Sequence, residues 1–271
     1  MERIKTDRYA VFGNPIAHSL SPQIHSYFAT QTKQDLFYDR VLVPEGKFKA
    51  TADKFFADGG CGCNVTVPCK LDAFLYADTL TEYAKAAGAV NTLKKLPDGT
   101  VLGDNTDGRG LVLDLLRTNC PLKCSRILII GAGGAARGIL KPIVEQLPQS
   151  VTIVNRTLAK AKDLASLYEG VEATDYSNLD GKFDVIINAT STSLEGKLPS
   201  ISDSIYKNAS YAYDLMYRKN ENTVFVQKAL DSGVKQVYDG FGMLVGQAIL
   251  SFELWRENAH LNFNECLEYL K

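Results

Sequence analysis

Apolar and polar positions fall into short strand-like runs separated by amphipathic stretches along the whole chain. RYAVFG (8–13), closed by Asn14-Pro15, predicts a first strand ending in a turn. Ser21-Pro22 predicts a helix to about Thr32, with Ser21 as N-cap and Pro22 at the first helical position. DRVLV (39–43), a helix over roughly 45–58 and NVTV (64–67) continue the β-α-β rhythm. Pro68 ends that strand, and Lys70 falls in the turn or first helical turn beyond it. PDG (97–99), between LKKL and TVLG, predicts a hairpin turn. A second series follows in RILIIG (126–131), VTIVN (151–155), DVIIN (184–188), YAYDLMY (211–217) and KQVYDG (235–240). Helical stretches separate most of these runs, so right-handed crossovers would give a parallel sheet. MLVGQAILSFELWREN (243–258) has helical spacing, and no repeat of fixed period occurs. The polar stretch Gly103–Gly110, before a predicted helix over 111–118, marks the boundary between two α/β domains: residues 1–105 with 240–271, and residues 106–239.

Composition narrows the class. The 271 residues suffice for two domains of ordinary size, and a 45% hydrophobic share excludes disordered and collagen-like chains. Thirty basic residues against 31 acidic ones leave a net charge of −1, with no long-range pull toward nucleic acid or anionic membrane. A small-molecule partner is expected, with no nucleic acid and no membrane, and a homodimer stays open. No apolar run has the length of a membrane span, and MERIKTDRYAVFG lacks the apolar region of a secretory signal. Cys61, Cys63, Cys69, Cys120, Cys124 and Cys266 fit neither a zinc half-site pair nor a disulfide framework. The expectation is reduced thiols, no metal, and a cytoplasmic protein.

The clearest motif is Gly131-Ala132-Gly133-Gly134-Ala135-Ala136, which follows the strand RILII and opens the apolar helix ARGILKPIVEQL. That is the context a dinucleotide fingerprint requires. Gly131 permits the tight turn, Gly133 lets backbone N–H groups approach a pyrophosphate, and Ala136 lets the helix pack on the sheet. The helix N-terminus then offers free N–H groups and partial positive charge to the anion. At the end of the next strand an NAD site would carry Asp or Glu. Here stand Asn155-Arg156-Thr157, with Lys160 one turn on. A guanidinium pairs with a 2′-phosphate that a carboxylate would repel, so the cofactor predicted is NADP and this domain is its Rossmann-type holder.

Three polar clusters in the first half are hard to explain as packing: Ser19-Leu20-Ser21, the segment from Asn64 to Lys70, and Asn91 with Asp104–Gly108. Each member alone has an ordinary reading: Ser21 as a cap, Lys70 as surface charge, Asn91 as a turn former, Asp107 as a helix cap. As a set they place hydroxyls, amides, a carboxylate and an ammonium at strand ends and turns, where a polar small molecule would find partners.

At these residues the chain resembles the shikimate dehydrogenase family. GNPIAHSLSPQIH, CNVTVPCK, AGAVNTL, GDNTDGRG, GAGGAAR, NRT, INATS, YDLMY and DGFGMLVGQA stand in the family's order over nearly the whole chain. The resemblance implies an N-terminal α/β substrate domain, a Rossmann-type NADP-binding domain, and reversible reduction of 3-dehydroshikimate to shikimate by NADPH on the way to chorismate and aromatic amino acids. It matches Lys70 to the catalytic lysine and Asp107 to its paired aspartate. Ser19, Ser21, Asn64, Thr66, Asn91, Tyr217 and Gln247 match substrate-binding positions. Gly131, Ala132, Gly133, Gly134, Ala135, Asn155, Arg156, Thr157, Lys160, Leu215 and Gly240 match positions lining the cofactor, and Glu82 stands where some members touch it. Lys160 replaces a frequent Arg, Cys69 a frequent aromatic, and Gly242 a frequent Pro, so Gly242→Pro is expected to be tolerated. Gly240 and Gly242 are also hinge candidates where the chain returns to the first domain. Two other readings are an NAD-preferring quinate/shikimate dehydrogenase and a non-catalytic dinucleotide-sensing module.

Overall fold

The structure, a computed structural model, describes residues 6–257 and 259–270. The chain divides into two compact units: Met1–Gly110 with Val245–Lys271, and Leu111–Leu244.

The first unit contains β1 (Asp7–Gly13), α1 (Ser21–Thr32), β2 (Leu36–Leu42), α2 (Phe48–Ala57), β3 (Gly60–Val65), α3 (Lys70–Tyr76), β4 (Thr79–Leu80), α4 (Glu82–Ala87), β5 (Thr92–Lys95) and β6 (Val101–Asp104). Its sheet has the order β2-β1-β3-β5-β6-β4. β1 runs parallel to β2 and β3, and β5 lies antiparallel to both β3 and β6. Successive β1 residues face opposite cores. Ala10 and Phe12 pack with Val65 and Leu93, whereas Tyr9 and Val11 pack with Tyr38 and Trp255. A central strand covered on both faces therefore reads as one apolar run without alternation.

Three local expectations change. Ser21 is the first residue of α1 and Leu20 its N-cap, because the Ser21 N–H is directed at Ser19 Oγ, 3.3 Å away. β3 ends at Val65, where the Cys69 N–H donates to the Thr66 carbonyl at 2.9 Å and closes a turn, leaving Lys70 as the first residue of α3. α5 (Asp107–Arg117) starts within the stretch expected to be a loop, its first carboxylate favoured by the positive end of the helix. The division between the units accordingly falls inside α5.

The second unit holds β7 (Arg126–Ile130), α6 (Gly134–Val144), β8 (Ser150–Val154), α7 (Leu158–Ala165), β9 (Val171–Thr174), β10 (Val185–Asn188), α8 (Asp203–Asn208), β11 (Tyr211–Asp214), α9 (Val224–Asp231) and β12 (Gln236–Tyr238). α10 (Phe241–Trp255) carries the chain out of it, and α11 (Phe263–Leu270) follows. Every neighbouring pair in the order β12-β11-β10-β7-β8-β9 is parallel. This is the doubly wound Rossmann order, with its reversal between β7 and β10. Ile127 and Ile129 pack with Ile139 of α6 and Leu164 of α7. Leu128 and Ile130 pack with Ile205 of α8 and Phe225 of α9, so helices cover both faces.

Gly240 and Gly242 both stand in close packing that leaves no room for a side chain. A Cβ on Gly240 would stand 2.6 Å from the carbonyl carbon of Leu215. One on Gly242 would overlap the carboxylate of Asp114, itself 1% exposed, which contradicts the tolerance expected of Gly242→Pro.

Candidate active site and dinucleotide site

In the first unit, strand ends and helix starts collect the polar clusters. Lys70 leads α3, directly after the turn that stops β3, and Asp107 leads α5, directly after β6. The Lys70 ammonium pairs with Asp107 Oδ2, and both side chains are only partly exposed. Asn91 Nδ2 donates to the other carboxylate oxygen at 2.8 Å and lies 3.4 Å from Gln247 Oε1 on α10. The Asp107 N–H donates to Asn105 Oδ1 at 3.1 Å, which seats the first turn of α5. Ser19 Oγ donates to Ser21 Oγ at 3.2 Å, while the Ser19 carbonyl accepts from the Arg40 guanidinium at 2.6 and 3.1 Å. Thr66 is half-buried, and its N–H donates to the Phe12 carbonyl at 2.9 Å. Asn64, 5% exposed, accepts from the Tyr38 hydroxyl at 2.7 Å and donates to Ser251 Oγ at 2.9 Å. Ser19, Ser21, Asn64, Thr66, Lys70, Asn91, Asp107 and Gln247 thus all belong to one unit.

Tyr38, Thr92, Thr106 and Ser251 complete this network; Thr92 and Thr106 belong to the polar segments around Asn91 and Asp107, whereas Tyr38 and Ser251 lie outside every cluster the sequence singles out. Ser251 had one available signal: it follows Gln247 by four residues on α10 and so shares its helix face. Glu82 also lies in the first unit, exposed, as the first residue of α4 behind the Thr81 cap, a position that favours a carboxylate electrostatically.

The second unit carries the glycine turn at the carboxyl end of β7. Gly131 adopts φ +106°, and its N–H donates to the Val154 carbonyl at 2.8 Å. Gly133 is the N-cap of α6, and Cβ atoms added at Gly133 or Gly134 would meet nothing within 4 Å. Ala132 is half-buried and Ala135 exposed, so the turn offers the unpaired N–H groups of a helix start to open space. At the end of β8, Asn155 Nδ2 donates to the Thr157 carbonyl at 2.9 Å. Arg156, Thr157 and Lys160 are exposed, and neither cation is ion-paired among the described residues. An open glycine turn with two uncommitted cations one strand away fits a dinucleotide carrying a 2′-phosphate.

Leu215 and Gly240 adjoin in this unit: Leu215 donates its N–H to the Asn188 carbonyl at 2.9 Å, and Gly240 donates to Met216 at 3.0 Å. Asp214 is fully buried and anchors this edge, accepting from Asn188 Nδ2 at 3.0 Å, Thr223 Oγ1 at 2.6 Å and the Met216 N–H at 3.1 Å. Burial pushes its carboxyl up from the ordinary range despite these donors. Tyr217 lies against Phe241 at 5.7 Å between ring centroids, and burial, with Asp239 nearby, pushes its phenol up.

The fold and these clusters define a dinucleotide-dependent oxidoreductase. The description "Shikimate dehydrogenase substrate binding domain" matches residues 11–93, and "Shikimate / quinate 5-dehydrogenase" matches residues 114–199. The shikimate dehydrogenase (NADP(+)) of Vibrio cholerae is 57% identical over 253 residues, covering 92% of this chain and 91% of the relative. Among solved structures, an Ael1 enzyme from Pseudomonas putida aligns with a TM-score of 0.93 at 38% identity, covering 98% of both chains. The shikimate 5-dehydrogenase of Thermus thermophilus, solved with NADP(H) and shikimate, aligns with a TM-score of 0.84 at 29% identity, covering 98% of this chain and 100% of that one. The chain belongs to the shikimate dehydrogenase family.

Proposed function

We propose that this chain catalyses the reversible reduction of 3-dehydroshikimate to shikimate by NADPH, a step toward chorismate and the aromatic amino acids. The observation that carries the reading is the Lys70–Asp107 pair, held by Asn91 at the heads of two helices in a chain of this family. NADPH, when bound, supplies the hydride. Lys70 stabilises the oxygen that becomes alkoxide and gives it a proton, and Asp107 orients the ammonium and accepts from the neighbouring hydroxyl. Ser19 and Ser21 bind the ring carboxylate as neutral donors. Asn64, Thr66, Asn91 and Gln247 serve the ring hydroxyls, and Tyr217 is assigned to the substrate by the family resemblance alone. On this reading the unit Met1–Gly110 with Val245–Lys271, which carries Asp107, is the substrate domain, and Leu111–Leu244, which carries Gly240, is the NADP domain.

The Gly131–Ala135 turn holds the pyrophosphate, and Arg156 and Lys160 the 2′-phosphate, with Asn155, Thr157, Leu215 and Gly240 around it. Glu82 is assigned to the cofactor on resemblance alone. Six free cysteines suit the cytoplasm, and no helix among the described residues is long and apolar enough to cross a membrane. Light scattering distinguishes monomer from homodimer.

The test is turnover with four pairings, NADP or NAD against shikimate or quinate. The NADP–shikimate pair is expected to be fastest. A faster NAD–quinate pair would identify the quinate-using alternative, and NADPH binding without turnover would identify a sensing module.

A further inference from the structure

A buried chain of hydrogen bonds leads from Tyr38 to the Lys70–Asp107 pair. It begins at the Tyr38 phenol, which is 6% exposed. The Tyr38 hydroxyl donates to Asn64 Oδ1 at 2.7 Å. Asn64 Nδ2 in turn donates to Ser251 Oγ at 2.9 Å and Thr92 Oγ1 at 3.2 Å, and lies 3.4 Å from the Asn91 carbonyl. That carbonyl can only accept, so the amide has one orientation.

The same logic sets Asn91. The Thr106 N–H, which can only donate, reaches Asn91 Oδ1 at 2.9 Å, and the Thr92 hydroxyl reaches the same oxygen at 2.9 Å. The Asn91 amino group is left facing Asp107 Oδ1 at 2.8 Å. At the far end, His25 lies face-on to Tyr38, with ring centroids 4.4 Å apart and planes 6° apart. Its imidazole is fully buried, and the stacked ring holds the phenol in plane.

We propose that Tyr38 and Ser251 are positioning residues: by fixing the amide of Asn64 they fix, through Thr92 and Asn91, the direction in which Asp107 faces Lys70. The proposal rests on the reading of Lys70 and Asp107 as the reacting pair. Neither residue touches the reacting atoms on this account. A hydroxyl that merely filled space would affect stability and leave the balance between substrate and cofactor kinetics unchanged.

The experiment compares wild type, Tyr38→Phe, Ser251→Ala, the double variant Tyr38→Phe with Ser251→Ala, and Ser251→Thr, with rates measured against 3-dehydroshikimate and NADPH separately and melting curves alongside. Tyr38→Phe keeps the ring on His25 and removes only the donor. Both deletions are expected to lower kcat about ten-fold with the KM for NADPH unchanged, and the double variant to fall little further, because one relay is being broken. Ser251→Thr, which keeps the hydroxyl, should recover most of the rate. A folded Tyr38→Phe with kcat within about two-fold of wild type overturns the proposal, as does a loss that moves both KM values together. If Tyr38→Phe does not fold, the Ser251→Ala and Ser251→Thr pair makes the same comparison, and equal rates for those two overturn the idea. Wild type without any 3-dehydroshikimate turnover overturns the functional reading and this proposal with it. An active wild type with unaffected variants overturns this proposal alone.

Discussion

Replacing Lys70 by alanine separates the chemistry from the fold. The Lys70 side chain is 29% exposed and that of Asp107 is 21% exposed, and an ion pair near the surface contributes about 0–1 kcal/mol. The backbone role of Lys70, whose carbonyl accepts from the Val90 N–H at 3.0 Å, survives truncation. Asp107 keeps the Asn91 amino group at 2.8 Å and the positive end of α5. Stability should therefore fall by no more than about 1 kcal/mol. Turnover should fall about 10²–10⁴-fold if Lys70 is the proton donor, which is about 2.7–5.4 kcal/mol of activation free energy. Initial rates of NADPH consumption at saturating 3-dehydroshikimate, over a range of pH, read the turnover, and urea unfolding reads the stability. A Lys70→Ala enzyme with near-normal kcat and an unaltered pH profile would refute the assignment. A rate loss that merely tracked an unfolding loss of several kcal/mol would refute the separation.

Arg156→Ala should weaken NADP about ten- to a hundred-fold more than NAD, since only NADP offers a phosphate to pair with; equal losses in KM for both cofactors would refute a phosphate role. Gly242→Ala should cost about 1–3 kcal/mol in urea unfolding, because its Cβ must displace the Asp114 carboxylate from Tyr213 (2.8 Å) and Arg117 (2.8 Å); an unchanged midpoint would show that α10 can shift cheaply. His25→Phe should flatten the acid side of the stability profile. Burial lowers the His25 imidazole from 6.5 to about 3 in the folded state. The unfolded chain therefore takes the proton first as pH falls through the unfolded value, and stability is lost from there downward by about 2 kcal/mol at about pH 5. Equal slopes for wild type and variant between about pH 7 and pH 5 would refute this.

Much of the fold could be read from the chain because its strands are short apolar runs with clear stops. β7, β8 and β10 lie close to their expected spans because two-sided burial in a parallel sheet demands Val- and Ile-rich segments, whereas β11 (YAYD) stops at Asp214, three residues before the end of its expected span. β9 (VEAT) escaped notice because an edge strand is half-exposed and carries no such run. α5 begins four residues before its expected start, inside the polar stretch Gly103–Gly110, for a different reason. Gly110 lies where a side chain would meet the backbone of Gln247, 2.7 Å from its Cα. Close packing against α10, which the sequence does not announce, explains the glycine better than a turn does. The same cause sets Gly242, where the absence of a side chain makes room for the Asp114 carboxylate.

The candidate site divides along a similar line. Groups that face open space, such as Lys70, Asp107, Arg156 and the glycine turn, stand in motifs whose chemistry can be argued from residue type. The groups behind them cannot, because a buried hydroxyl or amide acquires its role only from its partner. Thr92, Thr106 and Ser251 are scattered over β5, the β6–α5 turn and α10, yet all lie within 3.2 Å of Asn64 or Asn91 or of each other. None is more than 0% exposed, so each must be satisfied within the protein, where an orphaned polar group costs about 1–3 kcal/mol. That cost forces the donors and acceptors into one consistent order. The consistency leaves Asn91 its amino group, and not its oxygen, to present to Asp107. One oxygen of the Asp107 carboxylate accepts that donor while the other faces the Lys70 ammonium, so the buried side of the network orients the pair on its open side.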